Sequence, residues 1–130
     1  MNETSLLISV LDDEPQFGKA LARLLKTHGF EVKTFTEVDK FLESCTSRLP
    51  DCLLLDLHMP GLSGFDVLEW ISARHVPVLV ITGHDLPGNA ERVRALGAAV
   101  YFLKPINECE LLAAIRNATA PSETNLSAAE

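Results

Sequence analysis

The sequence predicts an α/β protein built on one doubly wound, five-stranded parallel sheet with helices on both faces. Two observations carry that expectation. Short, almost wholly apolar runs alternate with helically periodic segments along all 130 residues. Strands that are continuously apolar, rather than apolar at every second residue, belong to sheets buried on both faces, and those are the parallel ones.

The first strand is Leu6 to Leu11, closed by Asp12-Asp13-Glu14-Pro15, where acidic residues and a proline favour a helix start. The helix that follows places Phe17, Ala20, Leu21, Leu24 and Leu25 on one face and stops near His28-Gly29. Glu31 to Phe35 alternates as a second strand, and Val38 to Cys45 forms a short helix with Val38, Phe41 and Leu42 inward. Cys52 to Leu57 is the third strand, apolar except for Asp56. A loop through Met59-Pro60-Gly61-Leu62-Ser63 leads to a helix over Gly64 to Ala73, with Val67, Leu68 and Ile71 inward and Trp70 on the surface. Val76 to Thr82 is strand four, with Pro77 tolerated near its start. Pro87 to Leu96 is a helix with a weak stripe through Ala90 and Val93, ended by Gly97. Val100 to Leu103 is strand five, and Glu108 to Ala118 the last helix, with Leu111, Leu112 and Ile115 inward. Five strands with right-handed crossovers suit the flavodoxin-like order 2-1-3-4-5.

Length and composition bound the rest. Hydrophobic residues make up 47% and charged residues 22%, the balance of a globular domain with one core. Lys and Arg total 11 against 18 Asp and Glu, a net charge of −7, which argues against direct nucleic-acid binding by this domain. The three cysteines, Cys45, Cys52 and Cys109, match no zinc or C-x-x-C spacing and read as reduced thiols. No basic leader and no apolar run of about 18 residues is present, so no membrane association and a cytoplasmic location are expected.

Each apolar strand ends on or just before a polar residue: Asp12-Asp13, Asp56, Thr82 and Lys104. In a parallel sheet all carboxyl ends share one side, and in this order strands one and three flank the switch point where ligands bind. Three carboxylates gathered there repel one another, by about 4 kcal/mol per pair at ~4 Å and an effective dielectric of 20. Such a cluster calls for a hard cation, Mg²⁺ or, as a substitute, Mn²⁺. A cation, a lysine, a hydroxyl and a carboxylate nucleophile are the parts that phosphoryl transfer uses.

These residues resemble the receiver domain of two-component response regulators. The matching pieces are Asp12-Asp13, the run Leu53 to Gly64 around Asp56, Ile81-Thr82-Gly83 and Lys104-Pro105. The wording around Gly83-His84-Asp85 and Ala95 to Ala98 is closest to receivers of LuxR-type transcriptional regulators. The resemblance implies that Asp56 accepts a phosphoryl group from a histidine kinase or a histidine phosphotransfer protein. It implies Mg²⁺ held by Asp12, Asp13, Asp56 and the backbone carbonyl of His58. Lys104 would pair with Asp56 and then with the phosphoryl oxygens, Thr82 would swing to the phosphoryl group, and Tyr101 would be the switch aromatic. Lys104-Pro105 would be a cis peptide. An output face would carry Arg92, Arg94, Tyr101 and Arg116, the kinase would meet the first helix near Pro15 to Lys19, and phosphorylation could bring a homodimer.

His58 and His84 stand two residues beyond Asp56 and Thr82. They are expected to overhang the site and to modulate the lifetime of the acyl phosphate, and the surrounding oxygen donors favour Mg²⁺ there over zinc. Residues 1–119 are expected to form the receiver. Residues 120–130 read as a polar tail or as the start of a linker to an output domain, since Leu126-Ser127-Ala128-Ala129-Glu130 resembles the opening of a LuxR-type DNA-binding domain. Transcriptional control and a stand-alone regulator acting by protein contacts are thus both open. Beyond its own phosphorylation and dephosphorylation, no enzyme activity is expected. A haloacid-dehalogenase-like phosphatase would need an acid where His58 stands, and a phosphorylation-independent binding module would not need all five site positions.

Overall fold

The computed structural model describes residues 5–59 and 63–120. Ten elements alternate: β1 (Leu7–Leu11), α1 (Pro15–Thr27), β2 (Glu31–Phe35), α2 (Val38–Cys45), β3 (Cys52–Leu55), α3 (Gly64–Ser72), β4 (Val78–Thr82), α4 (Asn89–Ala95), β5 (Val100–Leu103) and α5 (Glu108–Ala118). The strands form one sheet in the order β2-β1-β3-β4-β5, and every neighbouring pair is parallel. The sequence expectation for fold class holds in full.

Strand side chains alternate between two cores. Ile8, Val10, Leu54, Leu79 and Ile81 meet Leu21 and Leu25 of α1 and Leu111, Leu112 and Ile115 of α5. Leu11, Leu53, Leu55, Val78 and Val80 meet Phe41 of α2, Val67, Leu68 and Ile71 of α3, and Val93 of α4. Both faces are covered, which is why the three central strands are apolar at nearly every residue. Each fully buried Leu or Ile stabilises the fold by roughly 1.5–3 kcal/mol of removed apolar surface.

Local signals set the ends of elements. Pro15 opens α1, where a missing N–H costs nothing. Gly29, at φ 91°, closes it: its N–H donates to the Lys26 carbonyl and that of Phe30 to the Leu25 carbonyl.

Several details differ from the sequence expectations, among them a β1 that starts at Leu7 rather than Leu6 and an α3 that ends at Ser72 rather than Ala73. β3 stops at Leu55, because Asp56 Oδ1 accepts the His58 N–H at 3.0 Å and turns the chain. β4 begins at Val78, since Pro77 has no N–H to donate, although its carbonyl accepts from Leu53. α4 begins at Asn89 rather than Pro87, because Gly88 adopts φ 85°, which no right-handed helix contains. Ala20 is exposed, as α1 and α5 leave a groove between them there. Trp70 is half-buried against the α2–α4 core, with the Arg74 guanidinium 3.8 Å over its ring, one helical turn on.

Candidate functional site

The sheet ladder continues one residue past three strands and thereby sets the site. The Asp12 N–H donates to the Phe35 carbonyl, that of Asp56 to Leu11, and that of Lys104 to Thr82, at 3.0, 3.0 and 2.9 Å. The three side chains therefore leave the sheet at one edge with their backbones already fixed. Thr82 is the last residue of β4 and is fully buried. Asp12 and Asp56 are 3% and 5% exposed, while Asp13 is open to solvent. One carboxylate oxygen from each of Asp12, Asp13 and Asp56 lies within 4.8 Å of the others.

That cluster fits a hard divalent cation on its own geometry. Asp12 Oδ1 accepts the Glu14 N–H at 2.8 Å, but Oδ2 is buried and has no hydrogen-bond partner. The Lys104 ammonium lies 3.0 Å from that oxygen, an ion pair by distance that lacks hydrogen-bond alignment. A buried oxygen paired only in this way keeps part of its desolvation cost, which a hard cation bound by the three carboxylates would offset.

Lys104 is the central positive charge. Its Nζ is 2.8 Å from Glu14 Oε1, 3.0 Å from Asp12 Oδ2, 3.8 Å from Asp56 Oδ2 and 4.2 Å from the Phe17 ring centre. Burial alone would lower its pKa, but the hydrogen bond to Glu14 and the close carboxylates of Asp12 and Asp56 outweigh that and raise it. Lys104 in turn holds the Glu14 carboxyl below its ordinary value. Asp56 goes the other way. Burial raises its pKa, the His58 N–H counters, Asp12 and Asp13 add repulsion, and Lys104 offsets part of it. The peptide bond after Lys104 is cis.

Two loops cover the carboxylates. The His58 N–H bonds to Asp56 Oδ1, and the His84 N–H donates to Thr82 Oγ1 at 3.1 Å. Both imidazoles are exposed and meet edge to face, with ring centres 4.7 Å apart. Together with Asp13, Glu14, Asp56, Gly83 and Lys104 they line a cavity of about 460 Å³. Pro60, Gly61 and Leu62, part of the motif around Asp56, lie outside the described residues.

Farther out, the half-buried Tyr101 donates its hydroxyl to Asp85 Oδ1 at 2.9 Å. Burial raises its pKa and the Asp85 carboxylate adds to this, against an opposing effect of the Asn89 side chain. Arg92 lays its guanidinium 3.8 Å over the Phe65 ring, whereas Arg94 and Arg116 are exposed on α4 and α5.

Three of these partners had no sequence signal. Glu14 caps α1 by position, yet its carboxylate reaches a lysine 90 residues away. Phe17 was assigned to the core stripe and also underlies Lys104. Asp85 read as loop. Only the fold brings them in.

Comparison with known proteins agrees with the geometry. Residues 8–116 match the family model described as the response regulator receiver domain. The response regulator protein TmoT of Ectopseudomonas mendocina is 36% identical over 121 residues, which are 91% of this chain and 54% of that protein. The transcriptional regulatory protein FixJ of Azorhizobium caulinodans is 36% identical over 115 residues, 86% of this chain and 54% of its own. The chain thus spans about half the length of the curated relatives it matches. Among solved structures, a response regulator receiver protein from Burkholderia phymatum superposes with a TM-score of 0.81 at 35% identity, covering 88% of this chain and 95% of that one. A CheY-like receiver domain protein from Methanospirillum hungatei gives 0.85 at 22% identity, over 94% and 99% of the two chains, a likeness of fold. A sheet in the order 2-1-3-4-5, an acidic triad with a lysine at its carboxyl edge and a family match over nearly the whole described chain lead to one assignment: this chain belongs to the response regulator receiver family.

Proposed function

We propose that this domain is a phosphorylation-driven switch whose phosphoacceptor is Asp56. The observation that carries the reading is a nearly buried carboxylate held between two other aspartates and a lysine at the switch point of the sheet. Asp12, Asp13 and Asp56, with the His58 carbonyl, would hold Mg²⁺, or Mn²⁺ in its place. Bound there, the ion neutralises carboxylates and phosphoryl oxygens.

The chain's own residues do the rest. A partner histidine kinase or histidine phosphotransfer protein presents a phosphohistidine. Asp56 attacks phosphorus in line, the P–N bond breaks, and the imidazole leaves with the electron pair and takes a proton. Lys104 is already charged and close enough to turn from Glu14 to the new phosphoryl oxygens. Thr82 Oγ1 accepts from the His84 N–H and leans on the His84 carbonyl at 3.4 Å, so rotation of Thr82 toward the phosphoryl group loosens that loop. The Asp85–Tyr101 bond carries the change to β5. The face bearing Arg92, Arg94, Tyr101 and Arg116 is then read by an output, through a shift between two populations.

Partner docking is supported by an apolar groove of about 530 Å³ between α1 and α5, lined by Phe17, Ala20, Leu24, Ile106 and Leu111 and opening on Lys104. The output is proposed to be transcriptional in a longer protein, in keeping with what FixJ is called. A stand-alone regulator is the second reading, and homodimerisation on phosphorylation suits either. Residues 121–130, which hold the linker-like segment, lie outside the described residues. Among the described residues no helix is long and apolar enough to cross a membrane. His58 and His84 would regulate water attack on the acyl phosphate, and single alanine variants with altered dephosphorylation rates would support that role.

Incubation with a small acyl phosphate tests the whole reading. Wild-type protein with Mg²⁺ should gain one phosphoryl group. Asp56→Asn and chelated samples should gain none, and uptake by Asp56→Asn would refute the assignment.

A further inference from the structure

We propose that His58 and His84 form a second cation site, at the mouth of the acidic crevice, that takes an imidazole-preferring ion such as Zn²⁺ or Ni²⁺. The two rings come from different loops, after β3 and after β4, and both are exposed. Each backbone is pinned by the same device: its N–H donates to the side-chain oxygen two residues back, Asp56 Oδ1 at 3.0 Å and Thr82 Oγ1 at 3.1 Å. The ring centres are 4.7 Å apart at an interplanar angle of 63°. Imidazole nitrogens bind Zn²⁺ at about 2.0–2.1 Å, so two rings on one ion at a bond angle of roughly 90–110° have centres about 4.5–5.2 Å apart. The observed spacing falls inside that range.

The oxygen donors below favour Mg²⁺, but the mouth offers nitrogen, and imidazole selects zinc, copper or nickel over magnesium. The two rings supply two ligands, and water would complete the shell. The site does not depend on phosphoryl transfer: it follows from ring placement alone.

Calorimetric titration of the chain with Zn²⁺, with excess Mg²⁺ present to occupy the carboxylates, reads the site directly. One Zn²⁺ should bind, and His58→Gln and His84→Gln should each weaken it at least about tenfold. Both residues are surface positions, and circular dichroism of the variants checks that the fold is intact. A variant-free readout runs beside it: Ni²⁺ should broaden the ring resonances of His58 and His84 and spare those of His28 and His75. No uptake in the presence of Mg²⁺ overturns the proposal, as does equal broadening of all four histidines. Undiminished uptake in both glutamine variants also overturns it, by placing the ion on the aspartates and leaving the two rings in an edge contact only.

Discussion

The Lys104 ammonium is 2.8 Å from Glu14 and 3.8 Å from Asp56, so the lysine of the site rests on a glutamate that no motif marks. Glu14 is exposed and Asp56 is not, which means the lysine must leave a solvated partner to serve a buried one.

Removing that competitor should speed the transfer. Glu14→Gln is expected to raise the rate of phosphorylation by a small acyl phosphate about two- to fivefold, the range that an exposed ion pair commands. Lys104→Ala should lower it. Stopped-flow measurement of both variants at fixed Mg²⁺ checks this, and a slower Glu14→Gln would mean that the glutamate positions the lysine rather than diverts it.

The raised pKa of Asp56 makes a prediction about stability. A carboxyl whose folded-state pKa lies above its unfolded value contributes stability below the unfolded value, and loses it as pH rises through the folded one. At neutral pH the ionised Asp56 therefore opposes folding in metal-free protein. Asp56→Asn should have a higher Tm than wild type at neutral pH, and the gap should close as pH falls below the ordinary aspartate value of 3.8. Thermal melts in chelator across that pH range decide it. A gap that widens with acid contradicts the charge account.

Much of the site was legible before the fold was known, for a physical reason. A strand buried on both faces must be apolar, so the first polar residue after it marks both the strand end and the sheet edge. That logic found Asp12, Asp56, Thr82 and Lys104. It could not find Glu14, Phe17 or Asp85, because contacts across 90 or 16 residues depend on loop paths that no local pattern encodes. It also misjudged Ala20 and Trp70. Helical periodicity gives a direction, and whether something lies in that direction is decided by neighbouring helices.

Gly64 ties the α3 start to the Asp56 turn. A Cβ there would lie 2.7 Å from the Leu57 Cα and 2.8 Å from its carbonyl oxygen, both backbone atoms. Gly64→Ala should cost about 1–3 kcal/mol in urea denaturation, the usual range for overpacking. It should also slow phosphorylation, since Leu57 directly follows Asp56. A variant of wild-type stability would show that α3 slides freely on the strand end.

The three thiols should react in order of exposure. Cys109 is exposed, Cys45 is half-buried with a raised pKa caused by its burial, and burial pushes Cys52 up to about 12, with Asp51 adding to it. Alkylation followed by peptide mapping should label Cys109 first, Cys45 more slowly, and Cys52 only under denaturing conditions. Early labelling of Cys52 would mean that β3 opens in the native state.

The central claim is that Asp56 carries the phosphoryl group. Reductive trapping tests it most directly, because borohydride converts an aspartyl phosphate to homoserine, which survives peptide mapping. After incubation with a small acyl phosphate and Mg²⁺, homoserine should replace aspartate at position 56 and nowhere else. Homoserine at position 12 or 13, or a phosphoryl group on His58 or His84 with Asp56 unmodified, would contradict the account.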